Sequence, residues 1–184
     1  VSVEWRLLHA SLQIFGFFGA LIVGVAHHLF PRFAGRITAR SAVTRPVLAL
    51  LLAALAFRVA GTSGGVPGAV LAGAVLQALA FLVFAGWVWR YLDPPPLGPL
   101  RRQLAVSSGW IAAACLCETF LRLRAVNAGL AVPPLDSMRA VHSMALLGGV
   151  VGWVSGVLLR AGPMFLPRWN VPAALARALP WMLG

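Results

Sequence analysis

Four histidines are the residues of this chain whose type and spacing could do chemistry: His9, His27, His28 and His142. Imidazole ligates haem iron and copper alike, and an ionisable side chain inside an apolar segment needs a reason to be there. His9 stands seven positions before Gly16, with Gly19 and Gly24 following; His142 stands seven before Gly149, with Gly152 and Gly156 following. At 3.6 residues per turn, His9, Gly16, Ala20 and His27 fall within about 20° of one line along a helix. Eighteen residues beyond the leading histidines stand His27 and Arg160, five turns or about 27 Å further along.

Two histidines on two helices that run the same way suit a bis-imidazole haem. The iron takes an axial ligand from each side, and the flat edge of the ring needs backbone without a side chain in its path. His9 and His142 are therefore the candidate axial ligands, with Gly16 and Gly149 the glycines that make room. The same residues admit a plainer account, in which the glycines allow close helix packing and each histidine bonds a carbonyl near the membrane interface. His27 and His28 differ by 100° around a helix, so only one shares the His9 face. They form a candidate second site, for copper or another haem, or else face headgroups beside Arg32.

The other reactive residues group less clearly. Glu118 lies four residues before Arg122, the favourable order for an ion pair on a helix, with a proton relay as the sharper alternative. Cys115 and Cys117 point to different sides of a helix and read as small apolar fillers rather than a disulfide or a thiolate site. Met144 and Met164 could ligate soft copper, but methionine is more often core. No Ser-His-Asp order, phosphate-binding loop or paired carboxylates occur, so hydrolase and kinase chemistry have no support.

The elements that position these residues are membrane helices. Of 184 residues, 60% are hydrophobic and 10% charged. Apolar runs approach the roughly 20 residues that a span requires. The expected fold is an all-α, polytopic transmembrane bundle, with helices at about 7–30, 44–60, 68–91, 104–123 and 139–162 and a partial C-terminal helix. Helices one and five form an internal repeat, each closing in a Pro-Arg-aromatic sequence, Pro31-Arg32-Phe33 and Pro167-Arg168-Trp169. GTSGGVPG over 61–68 reads as a turn, and Arg45 and Arg58 read as able to snorkel from the ends of helix two. Residues 1–184 read as one helical domain, and the run from Val1 to an apolar stop at Gly184 reads as part of a longer chain.

The net charge of +11 comes from 15 arginines against four acids, with no lysine. In a soluble protein it would suggest nucleic acid; here the arginines sit in loops and at helix ends, where they anchor to headgroups. Ten lie on the side holding Arg32, Arg36, Arg101 and Arg102, and five on the side holding Arg6 and Arg139. The positive-inside rule then puts the His9 end outside and the His27/His28 end in the cytoplasm, across the bacterial inner membrane.

The run His9-Ala-Ser-Leu-Gln-Ile-Phe-Gly16-Phe17, with Gly24 and Pro31 at fixed intervals, resembles a helix of the NnrS family of haem- and copper-containing bacterial membrane proteins. Arg160-Ala-Gly-Pro163-Met-Phe165 is similar to that family's Arg-x-x-Pro-x-Phe at a later helix end. The first pattern is also similar to the haem-ligating second helix of haem-copper oxidase and nitric oxide reductase catalytic subunits. Many NnrS members carry His-x-His-Glu where this chain has Ser11 and Leu12. The family has about twice as many helices, so the resemblance covers one half. It implies a haem b protein handling electrons or nitric oxide during denitrification, with copper as the other metal. The lipid bilayer and the remaining half of the chain, or a partner subunit, are its expected partners.

Two alternatives come from other classes. One is a transporter half built around a polar midplane site, where only Gln13, Gln77, Ser107 and Ser108 are polar between the helix ends and buried charge is expected to be absent. The other is a non-catalytic assembly subunit. Neither a vacant metal position nor a proton path is visible, so the expectation leans away from turnover; an enzyme here would be a membrane haem oxidoreductase acting on nitric oxide or oxygen. Arg32, Arg160 and Glu118 complete the set of polar candidates.

Overall fold

A computed structural model describes residues 2–33, 42–91, 98–165 and 172–182, with some side chains near the ends of those segments left out. The described residues form helices and no strand. Helix α1 runs continuously through Val3–Ser11, a π-helical stretch Leu12–Phe18, and Gly19–Phe33. Helices α2 (Thr44–Ser63), α3 (Pro67–Tyr91) and α4 (Gly98–Asn127) follow. Helix α5 again passes through a π-helical stretch, Leu135–Ser143, Met144–Val151 and Gly152–Phe165, and α6 (Ala173–Met182) is short. Five of these helices are long and apolar enough to cross a membrane, as the sequence pattern predicts.

The turns follow from glycine chemistry. α2 ends where Gly65 takes φ +63°, and Val66 N–H reaches back to the Gly61 carbonyl at 2.8 Å. Gly129, at φ +69°, ends α4 in the same way, with Leu130 N–H on the Ala125 carbonyl at 2.9 Å. Both are Schellman caps, in which a left-handed residue lets the chain satisfy the last carbonyls of a helix. Pro67 then opens α3, at the one helical position where its missing N–H costs nothing. α2 reaches Ser63, a turn beyond the predicted end near 60. That extension matters for Arg58.

Contacts fix the packing order. Ser11, Gly16 and His27 of α1 meet Arg58, Leu55 and Thr44 of α2, so the two are antiparallel. Gly148, Gly152 and Gly156 of α5 lie against Trp110, Ser107 and Leu104 of α4, again antiparallel. Ser11 and Phe30 of α1 face His142 and Trp153 of α5, so α1 and α5 run in the same direction, as the repeat requires. Their π stretches begin three residues after His9 and two after His142.

The core of one half is aromatic: Phe30 stacks on Trp87 at 5.3 Å and on Trp153 at 5.5 Å, with Phe84 beside both tryptophans. Trp153 Nε1–H donates to Ser108 Oγ at 3.0 Å, and Gln103 Nε2–H to the Gly152 carbonyl at 3.1 Å. Ser107 and Ser108, polar positions expected inside the bundle, are buried; Gln13 is exposed. Large apolar side chains such as Phe17, Leu52, Phe120 and Leu147 point outward, as contact with lipid acyl chains requires.

Glycine sets the spacing of α2 and α3. A Cβ at Gly73 would lie 2.7 Å from the Ala54 carbonyl oxygen and 2.8 Å from Arg58 Cγ; one at Gly61 would lie 2.7 Å from the Val70 nitrogen. These neighbours are largely backbone and cannot rotate away. Gly73→Ala is therefore expected to destabilise the bundle by about 1–3 kcal/mol, the usual cost of overpacking. Gly86→Ala, with nothing within 4 Å of its added methyl, is expected to be neutral or mildly stabilising. Thermal unfolding in detergent checks both.

Candidate functional site

Among the described residues, the buried charged side chains meet at one point. Arg58 is 1% exposed and Glu118 fully buried. Arg58 Nη1–H and Nη2–H donate to the two carboxylate oxygens of Glu118, at 2.7 and 2.9 Å. Arg122 Nε–H donates to Glu118 Oε1 at 2.9 Å. The sequence-predicted pair of Glu118 and Arg122 is thus formed, and a second arginine completes it. The bidentate fork matches the planar guanidinium to the carboxylate, the strongest arrangement available to such a pair.

Every spanning helix contributes. Arg58 Nη1–H also donates to Ser11 Oγ of α1 at 3.3 Å, and Ser11 Oγ stands 3.5 Å from His142 Nε2 of α5. Gln77 of α3, fully buried, donates from Nε2 to Glu118 Oε2 at 3.5 Å and to Cys115 Sγ at 3.4 Å. Arg58 Nε and Gln77 Oε1 are buried without a partner. Two guanidiniums against one carboxylate leave the centre with one positive charge in excess. Beside it, between Glu4, Leu7, Arg58, Val66, Arg122 and Val132, lies a pocket with room for about 40 Å³.

Arg58 corrects the expectation that it would snorkel. Because α2 extends to Ser63 and turns tightly into α3, Arg58 lies more than a turn inside the helix, facing the bundle axis. The expected absence of buried charge is corrected with it. The signal was present: Glu118 in an apolar run needs compensation, and Arg58 interrupts another such run at a comparable distance from a turn.

The histidines are arranged differently from expectation. His9 is exposed, on a stripe with Trp5, Gln13, Phe17 and Leu21 that recurs every four residues on the outside of α1. A spacing of four stays on one face only because the π stretch advances less per residue than a 3.6-residue turn. The predicted line joining His9, Gly16 and His27 is broken for that reason: Gly16 is buried and His27 half-buried. His142, half-buried, instead meets Ser11 and the Phe15 ring, whose centroid is 6.2 Å away. Ser11 and His9 point to nearly opposite sides of α1, so the two leading imidazoles share a depth but not a face.

The glycines do not leave space for a macrocycle either. A Cβ at Gly16 would lie 3.3 Å from Leu55, and one at Gly149 would collide with Ile111. Both are close-packing positions. A haem held between His9 and His142 does not fit this arrangement. At the other end of α1, His27 Nδ1 stands 3.1 Å from Thr44 Oγ1, and the exposed His28 ring lies 5.5 Å from His27. Among the described residues no three of His, Cys, Asp and Glu come together as a metal site. Cys115 is buried and Cys117 exposed, unpaired as predicted. The side chains of Arg32 and Arg160, and of Met164, lie outside the described residues. Comparison of the chain with family models, with curated proteins and with solved structures gives no match.

The buried pair makes a direct stability prediction. Arg58→Leu leaves Glu118 with one charged partner, Arg122, and is expected to cost about 3–5 kcal/mol. Arg58→Leu combined with Glu118→Leu is expected to cost clearly less than the sum of the two single changes, because only Arg122 is then left without its carboxylate. A double-mutant cycle by denaturant unfolding in mixed micelles measures the difference.

Proposed function

We propose that this chain is the ion-handling module of a multi-pass membrane protein, working at the Arg58–Glu118–Arg122 centre. The observation that carries the reading is a net positive charge buried among five apolar helices, linked to all of them and bordered by a pocket. Ionisable groups at membrane depth are costly, and the common reason for them is passage or binding of a charged species. The reading belongs with the transporter alternative, with a polar centre that the two repeat-related helices border through Ser11 and His142. The distribution of arginines supports placing the His9 end, and with it the pocket, outside the bacterial cytoplasmic membrane.

Proteoliposomes test this. Purified protein is expected to support ion flux, read with a potential-sensitive dye, and Arg58→Gln or Glu118→Gln is expected to abolish it in protein that remains monodisperse. Flux unchanged in both variants would overturn the reading.

A second reading, haem b binding, keeps support from the resemblance to NnrS and from one placement: His9 faces outward from α1. There it could serve as one axial ligand, with the other supplied by a further helix or a partner. Such a haem would supply electron transfer. Purified protein would then show a Soret band that His9→Ala removes while the fold is retained; a colourless preparation that does not take up haem rules it out.

A further inference from the structure

We infer that the pocket beside Arg58 and Arg122 is a binding site for a small monovalent inorganic anion, with Arg122 as its principal ligand and Glu4 as the group that limits its affinity. The inference deepens the ion-handling reading and rests on it. Of the five N–H donors of a guanidinium, Arg122 commits only Nε–H to Glu118 among the described residues. Its terminal nitrogens are left to the pocket it lines. Arg58 stands at the same wall with its Nε–H buried and unpartnered. An anion here would neutralise the one charge that Glu118 leaves over, which is the condition for a buried charged cluster to cost little.

The two guanidiniums set the sign of the pocket. Val66 and Pro67, at the N-terminal end of the 25-residue helix α3, border it, and the positive end of that dipole offsets the negative C-terminal end of α2 at Gly61 and Thr62, which lie on the same wall. Room for about 40 Å³ is enough for a halide or an ion of a few atoms. Glu4, also on the wall, opposes an anion and favours a site that releases what it binds.

The test uses purified protein in nanodiscs, titrated with sodium chloride against sodium gluconate at constant ionic strength, with unfolding temperature as the readout. Chloride is expected to raise it saturably and gluconate not to. Arg122→Gln is expected to weaken the chloride response about tenfold or more, the worth of one hydrogen bond to a charged group. Arg122→Lys, which keeps the charge, is expected to retain a weakened response and guards against a folding artefact. Glu4→Gln is expected to tighten the response several-fold. Equal effects of chloride and gluconate, or an Arg122→Gln protein that responds like the parent, would overturn the inference. Flux in proteoliposomes that is carried by protons or cations and indifferent to chloride would overturn it while leaving the ion-handling reading standing; no flux and no chloride response would remove both.

Discussion

The bundle depends on a bidentate ion pair closed inside an apolar protein. Arg58 and Glu118 sit on helices that are not neighbours in sequence, and neither charge is tolerable without the other. Taking two ions out of water costs several kcal/mol each, returned only by good geometry and further hydrogen bonds. Here the geometry is the planar fork, and the further bonds come from Ser11, Gln77 and Arg122. The pair therefore restricts how α1 through α4 can be arranged, in a lipid setting where apolar burial has no preference of its own between packings.

The small residues can be understood from this requirement. Gly73 lies where a side chain would meet Arg58 Cγ and the α2 backbone, so α3 comes close enough to α2 for Gln77 to reach the carboxylate. Gly61 does the same nearer the turn. On the far side, Gly148, Gly149 and Gly152 bring α5 onto Trp110, Ile111 and Ser107 of α4. α1 is then held by its own glycines, Gly16 on Leu55 and Gly19 on Phe81, with Ser11 delivered to Arg58.

How much of this could be read from the residues differs by level. The five spans, the parallel run of α1 and α5, the turn at Gly64–Gly65 and the Glu118–Arg122 pair all follow from local pattern, and local pattern is what a helix preserves. The partner of Glu118 was missed because it is 60 residues away, and its helix continues one turn past the point where apolar residues stop. The facing of His9 was missed for a different reason. A line of residues drawn at 3.6 per turn holds only in a regular helix, and nothing in Leu12–Phe18 announces a π stretch. Gly16 and Gly149 stand out by their spacing, but composition cannot say whether the space above a glycine admits a flat ligand or Leu55 and Ile111.

The two π stretches also show where the repeat is asymmetric. In both α1 and α5 the widened turn follows the leading histidine and carries a packed glycine, so the backbones are alike where the sequences differ. The side chains are used differently. In α1 the inward residue is Ser11, a hydroxyl that can accept from Arg58 and stand next to an imidazole, and the histidine faces away. In α5 the histidine itself is half-buried and lies against that serine. A second imidazole on the inward face of α1 would compete for the space and for the hydrogen bond that Ser11 accepts from the guanidinium. A centre of two arginines around one carboxylate leaves guanidinium donors and one positive charge over, which is the chemistry of an anion site rather than of a ligand set like a pair of imidazoles.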